Sequence, residues 1–148
     1  MELRILFKLG RSISMNNRIV YVSEEEAQKI KKCSMQDRDI FFAEIDGEKI
    51  RTEADYVQAI SEAFDFPNKL PTLKMEWCND YISDLMWIEQ KDIVLIVHKY
   101  NLMLCEELKL KKIIVDDFEE IILPWWEGEI VGHMVGGKPR GFLVYLEQ

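Results

Sequence analysis

A chain of 148 residues with 48% apolar and 11% aromatic side chains can bury a full core, which excludes a disordered chain and suggests one main domain. Its 27 acids against 19 Lys+Arg give a formal net charge of −8, which repels a phosphate backbone and argues against direct nucleic-acid binding. The same field would steer a basic protein partner, although acidity is equally common in proteins with no such partner.

Residues 1–35 read as an N-terminal β/α appendage. Leu3–Leu9 and Ile19–Val22 are short β-prone runs, with Gly10 and Asn16-Asn17 between them as turn residues. Ser23 followed by Glu24, Glu25 and Glu26 marks a helix start, with a cap residue and acids on the positive end of the dipole. Lys29, Lys31 and Lys32 occupy the other end, so the helix is expected to span Glu24–Cys33.

Residues 36–148 read as the main domain. Ile40–Ile45 is a strand closed by the turn pair Asp46-Gly47. Thr52 then caps a helix, with Asp55 three residues on in a capping-box arrangement. Tyr56, Val57, Ile60, Ala63 and Phe64 supply its buried stripe and Pro67 ends it. A second helix is expected from Leu73 to Trp87. Ile93–Val97 is an unbroken apolar run, the pattern of a strand covered on both faces of a parallel sheet. Residues 102–110 and 111–123 read as helical, the latter with Ile114, Phe118, Ile121 and Ile122 on one side. Phe142–Leu146 is the last strand. Strands separated by helices favour parallel pairing through right-handed crossovers. The expected fold class is therefore α/β: a mostly parallel three-stranded sheet covered by helices in two or three layers.

The informative stretch is Lys74–Leu85. On a helix, Met75, Cys78, Ile82 and Leu85 make one apolar stripe, while Glu76, Asp80 and Asp84 fall at i, i+4 and i+8 as a row of carboxylates. Trp77 and Tyr81 border that row. Acids ringed by aromatic surface are ingredients of an interface for Arg or Lys side chains, but a solvated acidic face gives the same pattern, and periodicity alone leaves both open.

With Ile45-Asp-Gly-Glu-Lys-Ile-Arg-Thr52, the Phe66-Pro67 helix end and the Glu76–Leu85 segment in this order, residues 39–148 resemble the barstar family, protein inhibitors of the ribonuclease barnase. The resemblance implies a protein that is not an enzyme and needs no cofactor, acting on a basic partner such as a ribonuclease or toxin nuclease. Asp80 falls on the central acid of the family's inhibitory helix, Glu76 on the acid one turn before it and Asp84 on a third. Glu120, in Phe118-Glu119-Glu120, corresponds to a later acid that contacts the partner or supports those that do. With Trp77 and Asn79 these residues make up the expected partner-binding set. Two departures touch that surface: Asn79 stands where an aromatic is common, and the loop Asn68–Lys74 lacks the family's Tyr and Gly and carries Lys69 and Lys74.

Other chemistry finds little support. Cys33, Cys78 and Cys105 are far apart and odd in number, and His98 and His133 are the only histidines, so no zinc spacing is present. His98 closes an apolar strand, where a hydrogen-bonded histidine outweighs a catalytic one. Gly136–Gly141 lacks the Gly-Lys-Ser/Thr ending of a phosphate loop. Trp125 and Trp126 are core cover or an exposed anchor, with core cover favoured. The start of the chain has its apolar run cut by Arg4 and Lys8, too short for a secretory leader, and no stretch approaches ~20 apolar residues. A cytoplasmic protein without membrane contact is the expectation. Two further roles stay open beside inhibition: an acidic interaction module with a non-nuclease partner, and a small enzyme that shares the fold.

Overall fold

The computed structural model describes residues 16–148, so the strand read at Leu3–Leu9 lies outside the described residues. Within them, strands β1 (Arg18–Val22), β2 (Ile40–Asp46), β3 (Asp92–His98) and β4 (Gly141–Glu147) form one sheet in the order β1-β4-β3-β2, parallel throughout. The sheet has four strands where three were expected. The additional one is Ile19–Val22, extended by Arg18 and paired in register with Leu143–Glu147. Residues 18–22 of the segment read as an appendage thus belong to the sheet itself.

Helix α1 (Glu24–Met35) follows β1 and lies on one face of the sheet, where Ala27 and Ile30 pack against Val94, Ile96, Leu143 and Tyr145. Helices α2 (Glu53–Ala63), α3 (Met75–Ile82) and α4 (Leu108–Asp117) cover the other face over Ile93, Leu95, Val97, Phe142, Val144 and Leu146. The result is three layers. The chain moves across the sheet in one direction from β1 to β2 and returns through β3 and β4. Right-handed crossovers in opposite directions must use opposite faces, which is why α1 is the one described helix on its side. Coverage of both faces explains the continuous apolar runs of β3 and β4.

Local signals set most helix starts. Ser23 and Glu26 form a reciprocal capping box at α1, and Thr52 and Asp55 form another at α2. The chain expected to be helical at 102–110 instead makes a short 3₁₀ turn (Tyr100–Leu102) and enters α4 only at Leu108. Beyond α4 it continues through π-helical turns, Phe118–Ile122 and Trp125–Glu129, into a final short helix, α5 (Ile130–His133). Pro124 lies between the π turns and has no N–H to donate, so the widened turns keep the chain helical around it. Widening also changes which residues face inward. Ile114, Phe118 and Ile122 are buried as expected, whereas Ile121 turns outward and is 54% exposed.

Asn17 fastens β1 to the far end of the chain. Its side-chain amide donates to the carbonyls of Leu123 and Arg140 at 3.2 and 3.0 Å, and its oxygen accepts from the Phe142 amide at 2.8 Å. Each such bond is worth about 1 kcal/mol net, and more when its loss strands a buried partner. Asn17→Ala is expected to lower the unfolding free energy by about 2–3 kcal/mol in urea titration. A change below about 0.5 kcal/mol would show that β1 is not integral to the sheet's stability.

Candidate functional site

Helix α3 is eight residues long, well below the length of roughly 12–15 at which isolated helices become marginally stable. Glu76 and Asp80 repel each other across one turn at a cost of about 0.2–0.5 kcal/mol. Burial decides the balance. Met75, Cys78, Ile82 and Leu85 all lie in the main core, each contributing about 1.5–3 kcal/mol when fully buried. The expected apolar stripe is therefore correct, but the helix stops at Ile82, short of the expected Trp87. Ser83 and Asp84 form a turn, and Leu85 adopts φ 48°, a left-handed conformation costly for a branched side chain. Its complete burial offsets that cost.

The early helix end breaks the expected row. Glu76, Trp77 and Asp80 are exposed together on α3, with Trp77 43% accessible, while Asp84 is exposed on the turn beyond the helix. Tyr81 is not free surface beside the acids. It stacks on Phe66 at 4.9 Å and meets Trp87 edge-on at 5.8 Å, and Trp87 donates from Nε1 to the Phe64 carbonyl at 2.8 Å.

Asn79 is half-buried and donates from Nδ2 to Asp117 Oδ2 at 2.9 Å. That bond ties α3 to the end of α4 and sets Asp117 beside the acidic helix. Glu120, three residues on, is exposed on the first π turn. Sequence reading had no means of finding Asp117, because a single amide–carboxylate bond between distant elements leaves no periodic trace.

The N-terminal end of α3 has no cap of its own, since Lys74 makes no side-chain capping bond. Glu53 of α2 supplies one. Its Oε2 accepts from the Met75 amide at 3.0 Å, and its Oε1 lies 3.6 Å from Lys74 Nζ. At the other end, Trp126 and Trp125 donate from their indole nitrogens to the carbonyls of Ile82 and Ser83 at 2.8 and 2.9 Å. Trp126 is buried, so the core-cover reading of this residue is correct.

The remaining reactive side chains are committed elsewhere. His98 stands between Glu147 and Glu44, with each ring nitrogen 2.7 Å from a carboxylate, and joins the ends of β2, β3 and β4. Burial works against ionisation of Glu44, but Lys31 and His98 outweigh it and hold its carboxyl below the usual value. Burial pushes the Cys78 thiol up to about 12, which makes it inert. Among the described residues no cluster of His, Cys, Asp and Glu could hold a metal, and no helix is long and apolar enough to cross a membrane.

These features define a class: a three-layer α/β protein with a parallel sheet that displays a short acidic helix on its surface. The particular family follows from the sequence. The chain belongs to the Barstar family, whose profile, described as "Barstar (barnase inhibitor)", matches residues 40–136. No curated protein matches the chain in sequence. A chain in a structure described as "Structure of Drosophila ORC bound to DNA" superposes with a TM-score of 0.52 at 12% identity, over 99% of this chain and 37% of that one. Likeness at that identity concerns the fold alone, and the present chain spans little more than a third of the length of the one it superposes on.

Thiol labelling with Ellman's reagent at pH 8 tests the site's packing. Cys105 is exposed, Cys33 half-buried and Cys78 buried, so Cys105 is expected to react first and Cys78 only after denaturant is added. Reaction of Cys78 in the native protein would mean that α3 detaches from the core.

Proposed function

We propose that this protein inhibits a basic ribonuclease or related toxin nuclease by placing α3 over its active site, where Glu76 and Asp80 take the positions of RNA phosphates. What supports the reading is the exposure of Glu76, Trp77 and Asp80 on one helix of a Barstar-family chain, in the segment whose sequence resembles the family's acidic helix. Asp80 is the central contact, Glu76 lies one turn before it, and Trp77 adds apolar surface. Asp84 lies at the rim, Asn79 holds the seam with Asp117, and Glu120 extends the acidic surface onto the π turn. The protein itself does no chemistry and needs no cofactor, and neither nucleic acid nor membrane is its target. Such an inhibitor protects the cell that makes the nuclease, so it acts in the cytoplasm as an immunity protein.

A second reading keeps the surface and changes the partner. Asn79 is turned toward Asp117, and the loop before α3 carries Lys69 on the wall of an open groove of about 900 Å³ between α2 and residues 66–73. Both features alter the ground around the acids and favour a partner that is not a nuclease.

Titration against barnase and other basic ribonucleases, read as loss of RNA cleavage, tests the proposal. Asp80→Ala is expected to weaken binding by about 2–5 kcal/mol, a range to which barnase–barstar pairs themselves contributed, while leaving the urea midpoint unchanged. If no basic ribonuclease is inhibited, or if Asp80→Ala binds as the parent does, the proposal fails.

Charge makes a separate prediction. With a net charge of −8 and acids clustered on α3, association should slow as ionic strength rises while dissociation changes little. Neutralising Asp84 should reduce that salt dependence, whereas Asp80→Ala should mainly speed dissociation. Stopped-flow rates at low and high salt decide between a steering face and a merely solvated one.

A further inference from the structure

Asp80 in the last turn of α3 and Asp84 just beyond it lie at the helix's C-terminal end, where the dipole disfavours acids and where the backbone carbonyls need donors. The donors come from residues 125–140. Trp126 and Trp125 reach the carbonyls of Ile82 and Ser83. Arg140 forks across the next turn, with Nη1 3.1 Å from the Leu85 carbonyl and Nη2 bonded to that of Ile88.

Arg140 is itself fixed from several sides. Its amide donates to the Trp126 carbonyl at 2.9 Å, its carbonyl accepts from Asn17 Nδ2 at 3.0 Å, and its guanidinium lies 5.2 Å from the centre of the Trp126 ring. Burial works against its charge, and the Asp84 carboxylate works for it. A cation held below the C-terminal end of α3 opposes both the dipole and the acids above it.

We infer that Arg140, Trp125 and Trp126 are positioning residues for the acidic helix, fixing the end of α3 near Asp80 and so setting the affinity for a basic partner they do not touch. The inference rests on α3 being the partner-facing element, as proposed above. A guanidinium fork matters because it satisfies separate carbonyls with one planar group, which a lysine ammonium cannot reproduce in the same geometry.

Full-length Trp125→Phe, Trp126→Phe, Arg140→Lys and Arg140→Met variants test it by hydrogen exchange in the free protein and by binding to barnase. The phenylalanines keep ring bulk and remove the donor. Amides of residues 75–88 are expected to exchange at least ~10-fold faster in Trp126→Phe and Arg140→Met, with those of β3 and β4 unchanged and Arg140→Lys intermediate. Dissociation from barnase is expected to quicken in the same order at an unchanged association rate. Unaltered exchange over 75–88, or an equal rise in β3 and β4, overturns the inference, the latter by showing a general structural role. Should Arg140→Met fail to fold, Arg140→Lys and the phenylalanine variants give the same decision. Exchange requires no partner, so failure to bind barnase bears on the proposed inhibition, while the exchange pattern alone decides the positioning.

Discussion

A helix of eight residues that carries acids on its exposed face has no reason to exist by itself, and the display of Glu76 and Asp80 depends on what grips it. The grip has a lower and a lateral part. Below, Met75, Cys78, Ile82 and Leu85 are sunk into the core and hold the helix axis. At its ends, Glu53 supplies the missing N-terminal cap while the indoles of Trp125 and Trp126 meet the last carbonyls. Each contact is modest, about 1 kcal/mol for a hydrogen bond, but together they exceed the repulsion between the acids. The helix is thus a rigid platform made from parts that are each insufficient.

The sheet makes this arrangement possible by being covered on both faces. Helix α1 closes one side, which frees the other for α2, α3 and α4, and the sheet's strand ends are joined by the hydrogen bonds of His98 to Glu44 and Glu147, with Lys31 of α1 paired to Glu44. Those contacts explain why the only histidine of a central strand is structural in its surroundings: each ring nitrogen is already occupied. Exposed charge sits on α3, whereas the charged side chains at the end of the sheet are bonded to one another.

Much of this was legible in the sequence wherever the cause was local. The capping boxes at Ser23 and Thr52, the doubly covered run Ile93–Val97 and the stripe Met75-Cys78-Ile82-Leu85 are all written within a few residues of where they act. What stayed hidden was set by distant partners. The place of Ile19–Val22 depends on pairing with Val144–Glu147, and no property of either run names the other. The end of α3 at Ile82 follows from the turn at Ser83-Asp84 and from donors on Trp125 and Trp126, and that early end takes Asp84 off the row. Ile121 was placed inside by a regular helical period, and a π turn beside Pro124 moved it out. Asn79 illustrates the same limit at the site: its identity was visible, but its bond to Asp117 was not.

The strand order has a consequence for how the chain folds as it is made. Strand β4 is the last of the described strands to leave the ribosome, yet it lies inside the sheet between β1 and β3. Until it arrives, β1 lacks its neighbour among the described strands, and α1 can cover only part of its face. Contacts this far apart in sequence slow folding and lengthen the exposure of apolar strands to aggregation. A nascent chain that ends before Arg140 would therefore hold β2, β3 and much of the α3 scaffold without the stitching of residues 85 and 88 by Arg140 or the bonds of Asn17 to Arg140 and Phe142. Competence to assemble the acidic platform is thus gained only once residues 140–147 have been made.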